Sequence, residues 1–215
     1  MQERTEQVRA RILASARHLF KTVGYEKTTI RLIVEDSGVL TGSIYHLYKN
    51  KEEIFLTMVD EKLELCLELV ERNFAQESAL FRFICLYDMH LRIIMQSKIM
   101  RDNYYAIYSS ALIVEHIIDE MAVLTKRLFQ EVFPQLTLED YRVRNALIQG
   151  AIRNCIMGMY FKRPLPFVKT GVLLLRIILF AFNINPDRST AMIGKIKQHK
   201  KKLEKITREL VEMDS

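Results

Sequence analysis

The stretch that decides the fold of this 215-residue chain is Thr28-Thr-Ile-Arg-Leu-Ile-Val-Glu-Asp-Ser-Gly-Val-Leu-Thr-Gly-Ser-Ile-Tyr-His-Leu-Tyr-Lys-Asn-Lys51. In its first half Ile30, Ile33 and Val34 recur at the spacing of one helix face. The apolar positions of its second half, spaced in the same way, are Leu40, Ile44, Leu47 and Tyr48. Gly38 stands between the halves, where a tight turn is expected to need positive φ, which costs least for glycine. The pattern predicts two short helices joined at this glycine.

The second of these helices is predicted to have a polar and aromatic outer face. Opposite its apolar positions lie Thr41, Gly42, Tyr45, His46 and Lys49. A glycine on the outer face costs helix stability, but it lets the backbone approach another surface closely. Helix pairs with a glycine turn also occur in all-α proteins that never contact DNA. The full pattern favours a helix-turn-helix, which lays its second helix in a DNA major groove.

The same region resembles a known family over about a quarter of the chain. The residues that carry the resemblance are Ile12-Leu-Ala-Ser-Ala16, Leu19-Phe20, Gly24-Tyr25, Thr28-Thr29, Ile33, Gly38-Val39, Gly42-Ser-Ile-Tyr-His-Leu-Tyr48 and Lys51-Glu-Glu-Ile-Phe55. They are similar to the N-terminal domain of the TetR (tetracycline repressor) family of bacterial regulators. Leu40 stands where that family usually has Ser or Thr, so we expect the second helix to lack a side-chain N-cap. Val34 and Ser37 replace two customary alanines, which alters packing.

The resemblance implies a division of roles along the second helix. Thr41, Gly42 and Ser43 would approach base edges, and Tyr45 and His46 would meet phosphates or bases at the groove wall. The exposed face offers no Arg, Asn or Gln for a bidentate contact with a base. Apolar contacts with thymine methyl groups and the shape of the DNA would then supply part of the specificity.

Phosphate contacts are implied on either side of that helix. Thr28 or Thr29 would hold a phosphate at the N-terminus of the first short helix, as helix N-termini do for anions. Lys51 would do the same at the start of the next helix. Lys49 is either a further phosphate contact or an ordinary solvated charge.

Composition predicts an all-α protein, because glycine and proline are few and helical periodicity runs through the rest of the chain. We expect an N-terminal three-helix helix-turn-helix domain over residues 6–52 and a larger helical effector-binding and dimerisation domain over residues 53–215. Further helices are predicted over residues 51–74, 79–100, 137–162, 169–184 and 186–212, with at least one more over residues 104–133. Thr137 and Asp140 form a capping-box pattern at the start of one of them.

Charge and hydropathy argue against a membrane protein. The most apolar run, residues 172–182, is interrupted by Arg176 and falls short of the roughly 20 residues that span a bilayer. The net charge is +6, and the surplus lies in residues 195–208, with seven Lys and Arg against one Glu. We interpret this tail as a solvated helix face, with binding to nucleic acid or anionic lipid as the alternative.

The chemistry-bearing residues indicate neither an enzyme nor a cofactor. Cys66, Cys85 and Cys155 are scattered without a CxxC pair, which suits packing in a reducing cytoplasm. The five histidines suggest no metal site. No nucleophile with an adjacent base and no phosphate-binding loop is evident.

The resemblance implies that the second domain dimerises. Ala146, Gly150, Asn154 and Gly158 form a row with four-residue spacing along one predicted helix. A row of this kind lets a partner helix approach closely, and with residues 172–182 it would build a four-helix interface across a two-fold axis. The alternative is that these small residues pack within one subunit.

The resemblance also implies a small-molecule effector. Flexible methionines and amphipathic tyrosines suit an adaptable, mostly apolar cavity, although such residues also form plain core. The candidates are Met89, Met95, Tyr104, Tyr105, Tyr108, Met157 and Phe161. His90 and His116 are either polar anchors or surface residues, and the scarcity of paired charges favours an apolar or aromatic effector. We therefore expect a dimeric repressor that binds a palindromic operator and is released by the effector; the alternative is a constitutive DNA-binding protein without a ligand pocket.

Overall fold

A computed structural model describes residues 2–213, and in these residues the chain forms eleven α-helices and no strand. The helices are α1 (Gln2–Thr22), α2 (Ile30–Ser37), α3 (Thr41–Leu47), α4 (Lys51–Asn73), α5 (Ala79–Ile94), α6 (Lys98–Ser109), α7 (Ala111–Phe129), α8 (Leu138–Gly158), α9 (Phe167–Ala181), α10 (Pro186–Gln198) and α11 (Lys200–Met213). The all-α prediction is confirmed.

The first three helices pack around a small apolar centre. Ile12 of α1, Ile33 of α2 and Ile44 of α3 are each fully buried. Each of these helices contacts the other two, so the angle between α2 and α3 is fixed by side chains from all three. The α4 helix then runs from this group into the larger helical part, where it contacts α5, α7 and α11.

Side-chain caps set where most of the helices begin. An oxygen of the residue before the helix accepts a backbone N–H of the first turn at α2, α4, α5, α6, α7, α8 and α10. Such a cap contributes about 1 kcal/mol because it satisfies a donor that the helix itself leaves unpaired. The predicted capping box of Thr137 and Asp140 is present at α8.

Two of the predicted helix boundaries were wrong, each at a break that periodicity did not indicate. The segment 79–100 is divided because Ser97 caps a new helix after α5 has ended. The segment 104–133 was predicted to form at least one helix, and in it α6 ends and α7 begins at Ser110, which caps α7. The terminal segment 186–212 is divided at His199, between α10 and α11.

The larger helical part has an aromatic core that α7, α8 and α9 enclose. The ring centroids of Phe83 and Phe129 lie 4.9 Å apart, and Phe182 lies 5.3 Å from Phe83 and 5.2 Å from Phe129. Edge-to-face pairs at these distances contribute about 1 kcal/mol each beyond the area they bury. This core holds the helices that flank the cavity described below.

The basic C-terminal segment, residues 195–208, forms the end of α10 and the first part of α11. Lys202 Nζ lies 4.6 Å from the centroid of the Phe74 ring, and Arg72 of α4 pairs with Glu209 at 2.6 Å. Other cations of the segment, such as Lys197 and Lys205, are exposed. The arrangement agrees with the interpretation of this tail as a solvated helix face.

Within residues 2–213, no helix is both long and apolar enough to cross a membrane. The three cysteines are free thiols, of which Cys85 is buried and Cys66 and Cys155 are half-buried. Burial raises the pKa of the Cys85 thiol, so its role is packing rather than nucleophilic chemistry.

Candidate DNA-reading surface and ligand cavity

The turn between α2 and α3 has the geometry that the sequence predicts. Gly38 has φ of 62°, in the left-handed region, and its N–H donates to the carbonyl of Val34. Arg11 of α1 donates from Nη2 to the Ser37 carbonyl at 2.6 Å, and a Cβ at Gly38 would lie 3.1 Å from that nitrogen. Both the backbone conformation and the close approach of Arg11 therefore favour glycine here.

The outward face of α3 is open and combines polar with aromatic groups. Thr41 and His46 are exposed, and the Tyr45 side chain is 55% exposed. A Cβ added at Gly42 would have no atom within 4 Å, so nothing inside the chain requires a glycine at this position. This face is the candidate DNA-reading surface.

A groove beside the N-terminus of α3 adds cations that sequence reasoning missed. It is lined by Arg4, Gln7, Val8, Arg11, Gly38, Val39, Leu40 and Ser43. Arg4 and Arg11 are seven residues apart on α1, a spacing that puts them on one helix face and was the available signal. Leu40 precedes α3 without a side-chain cap, as predicted, and Ser43 is half-buried at the edge of the reading surface.

The two threonines before α2 differ in what they can contact. Thr28 is only 1% exposed, and its hydroxyl donates to the Gly24 carbonyl at 2.8 Å. This corrects the expectation for Thr28, because its hydroxyl cannot reach a phosphate. Thr29 is exposed, and its hydroxyl oxygen accepts from the Leu32 N–H at 3.2 Å. The Thr29 O–H remains available as a donor to an anion.

The two lysines before and at the start of α4 also differ. Lys51 donates from Nζ to the Tyr25 carbonyl at 2.8 Å and lies 4.2 Å from the centroid of the Tyr25 ring. Lys51 is half-buried and its ammonium group contacts the chain itself, and its role as a phosphate contact stays a prediction. The Lys49 side chain is 87% exposed, with its Nζ 3.9 Å from Glu53, so it is the cation that lies at the reading surface.

Asn103 of α6 fastens the loop between α1 and α2 to the larger helical part. The Tyr25 N–H donates to Asn103 Oδ1 at 2.7 Å, and Asn103 Nδ2 donates to the Phe20 carbonyl at 2.8 Å. The rings of Phe20, Tyr25 and Phe55 pack around this link with centroids 5.2 to 5.9 Å apart. Sequence reasoning did not identify Asn103, which has no local pattern around it.

A cavity of about 190 Å³ lies directly behind this link. Its walls come from α1, the loop at Tyr25, α4, α5, α6, α7, α8 and Val211 of α11. The lining residues are Arg17, Phe20, Lys21, Tyr25, Phe55, Met58, Val59, Lys62, Leu63, Cys66, Leu86, Tyr87, His90, Ile93, Met100, Asn103, Tyr104, Ile107, Tyr108, Ile117, Met121, Leu124, Gln149, Ile152 and Val211. Phe20, Tyr25 and Phe55 therefore belong to the cavity wall and to the packing of the helix-turn-helix at once.

Of the predicted pocket residues, only Tyr104 and Tyr108 line this cavity. They are one turn apart on α6, whereas Tyr105 faces away and packs its ring 4.6 Å from that of Tyr160. The five predicted residues outside the lining are Met89, Met95, Tyr105, Met157 and Phe161. Met89 is fully buried in the core, while Met95 and Phe161 are exposed. Composition alone did not indicate which helix faces turn toward the cavity.

The polar groups of the cavity include a buried imidazole. His90 packs edge-on against Tyr104, with centroids 4.9 Å apart, and its Nε2 is buried with no hydrogen-bond partner among the described residues. Burial, with a further contribution from Lys62, lowers the pKa of His90 to about 4. Tyr108 is already satisfied, since its hydroxyl donates to Gln149 Oε1 at 2.8 Å. His90 is thus a neutral group at pH 7 that can still form a hydrogen bond.

The predicted dimer row on α8 is exposed in part. Gly150 and Asn154 are exposed and Ala146 is half-buried. Gly158 is buried, and a Cβ there would lie 2.5 Å from Leu165 Cδ1 of the same chain. This corrects the assignment of Gly158, whose lack of a side chain serves packing within the subunit.

An exposed apolar surface accompanies the rest of that row. Leu147 on α8 is 68% exposed and Phe180 on α9 is 74% exposed. Its further members are Val143 on α8 and Leu173 and Ile177 on α9. Leu173, Ile177 and Phe180 follow at the spacing of one helix face, so α9 buries one face in its own chain and presents another outward.

One cluster of side chains has the donor set of a divalent-cation site. Ligand atoms of Asp60 on α4 and of His116 and Glu120 on α7 all lie within 4.8 Å of one another, and the three residues are half-buried. His116 Nε2 and Asp60 Oδ1 already contact each other at 2.6 Å. The cluster differs from the expectation of no metal site, because the four-residue spacing of His116 and Glu120 was overlooked.

Comparison with known proteins places the first helices in one family. The family model of bacterial regulatory proteins, tetR family, matches residues 12–58. Over 58 residues the chain is 40% identical to the HTH-type transcriptional repressor AcnR of Corynebacterium jeikeium, which covers 27% of this chain and 31% of that protein. The chain thus spans about a third of the length of the curated relatives it matches.

Solved structures extend the likeness in fold over most of the chain. FadR of Thermus thermophilus, a TetR family transcriptional repressor solved in complex with lauroyl-CoA, has a TM-score of 0.62 at 17% identity and covers 82% of this chain and 96% of its own. RolR, solved in complex with resorcinol, has a TM-score of 0.60 at 16% identity and covers 82% and 90%. At these identities the likeness establishes a shared fold.

Proposed function

The chain belongs, through residues 12–58, to the TetR family of bacterial regulatory proteins, and on this premise we propose that it is a dimeric repressor that binds a palindromic operator and is released by a small-molecule effector. The observation that carries the proposal is the exposed face of α3, held by the Gly38 turn, with Thr41, Gly42, Tyr45 and His46 directed outward. Folding alone gives no reason for a glycine and a half-exposed tyrosine on that face.

In the proposed complex α3 lies in the major groove. Thr41 and Gly42 approach base edges, while Tyr45 and His46 meet the groove wall. Thr29, Lys49 and the arginines of the adjacent groove supply contacts to phosphates, which position the protein without reading sequence. Thr41 and the carbon surface of Tyr45 contact thymine methyl groups, so that DNA shape carries part of the specificity.

Dimerisation would use the exposed apolar surface of α8 and α9. Leu147 and Phe180 lie on neighbouring helices of this surface, and an exposed apolar patch of this kind is typical of a protein interface. Close approach at Gly150 would let two copies form a four-helix contact about a two-fold axis. Such a dimer presents two reading helices to half-sites about 34–36 Å apart, one turn of the DNA.

Release by an effector would act through the cavity behind Tyr25. A ligand there contacts the loop after α1 and the start of α4 together, because Tyr25 and Phe55 are part of the wall. Binding that favours a different spacing of the two reading helices lowers operator affinity by population shift. That the similarly folded FadR and RolR were solved with small molecules bound supports this reading.

The second candidate function is that of a constitutive DNA-binding protein without a ligand pocket, and the presence of the cavity argues against it. If the larger helical part were packed throughout, it would contain no cavity of about 190 Å³ next to the helix-turn-helix. A rise in melting temperature with an added small molecule separates the two candidates. An enzymatic role has no support from the residues that line the cavity.

The proposed function is tested by selecting binding sites from a random duplex library at about 0.15 M salt, where non-specific binding is weak. We expect the purified protein to enrich a palindrome that Tyr45→Ala fails to select. Tyr105→Ala, which removes an exposed tyrosine from α6, is the matched control and should select the same palindrome. Enrichment of an unsymmetrical site, or of none, would contradict a dimeric reader.

A further inference from the structure

The charged groups of the cavity lining all have the same sign. Arg17 and Lys21 lie one turn apart on α1, and Lys62 lies on α4; no Asp or Glu belongs to the lining. Arg17 is paired with Glu61, the residue before Lys62, which puts the cations at the junction of α1 and α4. Lys21 is exposed and Lys62 is half-buried, so this junction is the polar mouth of the cavity.

The interior behind the mouth is apolar. It is formed by aliphatic and aromatic side chains such as Phe55, Leu86, Ile107 and Ile152. An apolar body placed here is removed from water, which favours binding in proportion to the apolar area that is buried. An apolar cavity of about 150 Å³ is known to hold one benzene molecule, so about 190 Å³ suits a single ring or a chain of about eight carbons.

His90 supplies a hydrogen-bonding group at the inner edge of this polar mouth. Its buried Nε2 has no partner among the described residues, and its ring is close enough to Lys62 for that cation to disfavour protonation. A neutral imidazole can donate from Nε2 to an oxygen anion that the lysine also attracts. The pair favours an acceptor that carries negative charge over a neutral or positive group.

We propose that the cavity binds a small amphipathic carboxylate, with its apolar body among the aliphatic and aromatic side chains and its carboxylate between Lys62 and His90 Nε2. This rests on the proposed function, in that the cavity is taken as the effector site, and it names the chemical class of the effector. A cationic head group would instead lie beside Lys62, whose charge has the same sign.

The test compares three ligands with the same eight-carbon chain and different head groups. Octanoate, octan-1-ol and octylamine are titrated into the full-length protein at pH 7.5 by calorimetry. We expect octanoate to bind at least tenfold more tightly than octan-1-ol and octylamine to bind most weakly. Equal or tighter binding of the alcohol or the amine would overturn the proposal, and so would binding of none of the three.

Two variants locate the carboxylate within the cavity. Lys62→Met and His90→Phe keep the apolar volume, so they should reduce the preference for octanoate over octan-1-ol to below threefold while the alcohol binds as before. Lys197→Met, which removes an exposed cation from α10, should keep the full preference. A preference that survives both cavity variants would show that the carboxylate lies elsewhere and would overturn the assignment.

The failure of this proposal is distinguishable from the failure of the proposed function. The random-library selection uses protein without ligand. An enriched palindrome together with no octanoate binding would therefore contradict the carboxylate as ligand and leave the proposed regulator in place. Octanoate binding with no selected operator would contradict the proposed DNA-binding function and leave the assignment of the cavity as a carboxylate site in place.

Discussion

The backbone N–H of Tyr25 donates to the side-chain oxygen of Asn103 at 2.7 Å. Tyr25 follows α1 in the helix-turn-helix region, whereas Asn103 belongs to α6, and the second half of the same amide holds Phe20. One buried side chain thus satisfies a backbone donor of the loop and the carbonyl of Phe20 near the end of α1. This bidentate link joins the N-terminal helices to the larger helical part.

Removal of the link should destabilise the protein and loosen the loop. Asn103→Ala leaves a buried N–H and a buried carbonyl unpaired, and we expect the free energy of unfolding to fall by about 2 kcal/mol. Hydrogen exchange of the Tyr25 amide should accelerate at least tenfold. Asn73→Ala is the control, because its side chain bonds only to Leu69 of its own helix; an unchanged Tyr25 exchange rate in Asn103→Ala would contradict the link.

Gly42→Ala should separate folding from DNA binding. The added methyl group meets no atom of the chain, so helix propensity alone predicts stabilisation of up to about 1 kcal/mol. Operator affinity should nevertheless fall at least tenfold, because the methyl group blocks the approach of the α3 backbone to DNA. Binding would be measured by fluorescence anisotropy on the selected operator.

Gly194→Ala on α10 is the matched control for that substitution, since a Cβ there also has open space around it. It should raise stability in the same way and leave operator affinity unchanged. A Gly42→Ala protein that binds the operator as tightly as the parent would remove Gly42 from the reading surface.

The exposed surface of α8 and α9 is open to a direct test. Phe180→Glu places a charge in the proposed apolar contact, and we expect a monomer by light scattering together with loss of operator binding. Leu112→Glu introduces the same charge at an exposed leucine of α7 and should leave the dimer intact. A Phe180→Glu protein that remains dimeric would place the interface elsewhere.

Acid should destabilise the protein in part through His90. Its pKa is lowered to about 4 in the folded state and is about 6.5 when unfolded. As the pH falls from 7 to 4, His90 becomes protonated in the unfolded chain while it stays largely neutral in the folded chain. This group therefore lowers the free energy of unfolding by about 3 kcal/mol. Denaturant titrations at the two pH values should show a smaller decline for His90→Phe.

His18→Phe, at an exposed histidine of α1, is the control for that pH dependence and should retain the decline of the parent protein. An equal decline in His90→Phe would mean that titratable groups other than His90 account for the acid sensitivity.

Local sequence patterns predicted the elements whose causes are local. The Gly38 turn, the outward face of α3 and the Thr137 capping box each depend on residues within a few positions of one another. The Ser97 and Ser110 caps also act locally, but they interrupt apolar runs whose helical periodicity continues across them. Periodicity therefore gave a wrong boundary at Ser97 and left the number of helices open at Ser110.

Long-range relationships were not predictable from these patterns. Asn103 is 78 residues from its partner Tyr25, and a single asparagine in a helix has no periodic signal. Gly158 belonged to a plausible row of small residues, and only the approach of Leu165 shows which neighbour it accommodates. Tyr104 and Tyr105 are adjacent and chemically identical, yet α6 turns only the first toward the cavity.

The shared wall at Phe20, Tyr25 and Phe55 limits how freely this protein can be converted into a biosensor. Under the proposed function, substitutions there would alter ligand choice and DNA binding together, because the same three rings also pack against the helix-turn-helix. Under the same proposal, libraries that vary lining residues outside this group, such as Leu86, Ile117 and Ile152, would change ligand choice without altering the packing of the helix-turn-helix. Under the same proposal, we expect the lining residues outside the shared wall to differ more among related proteins than Phe20, Tyr25 and Phe55 do.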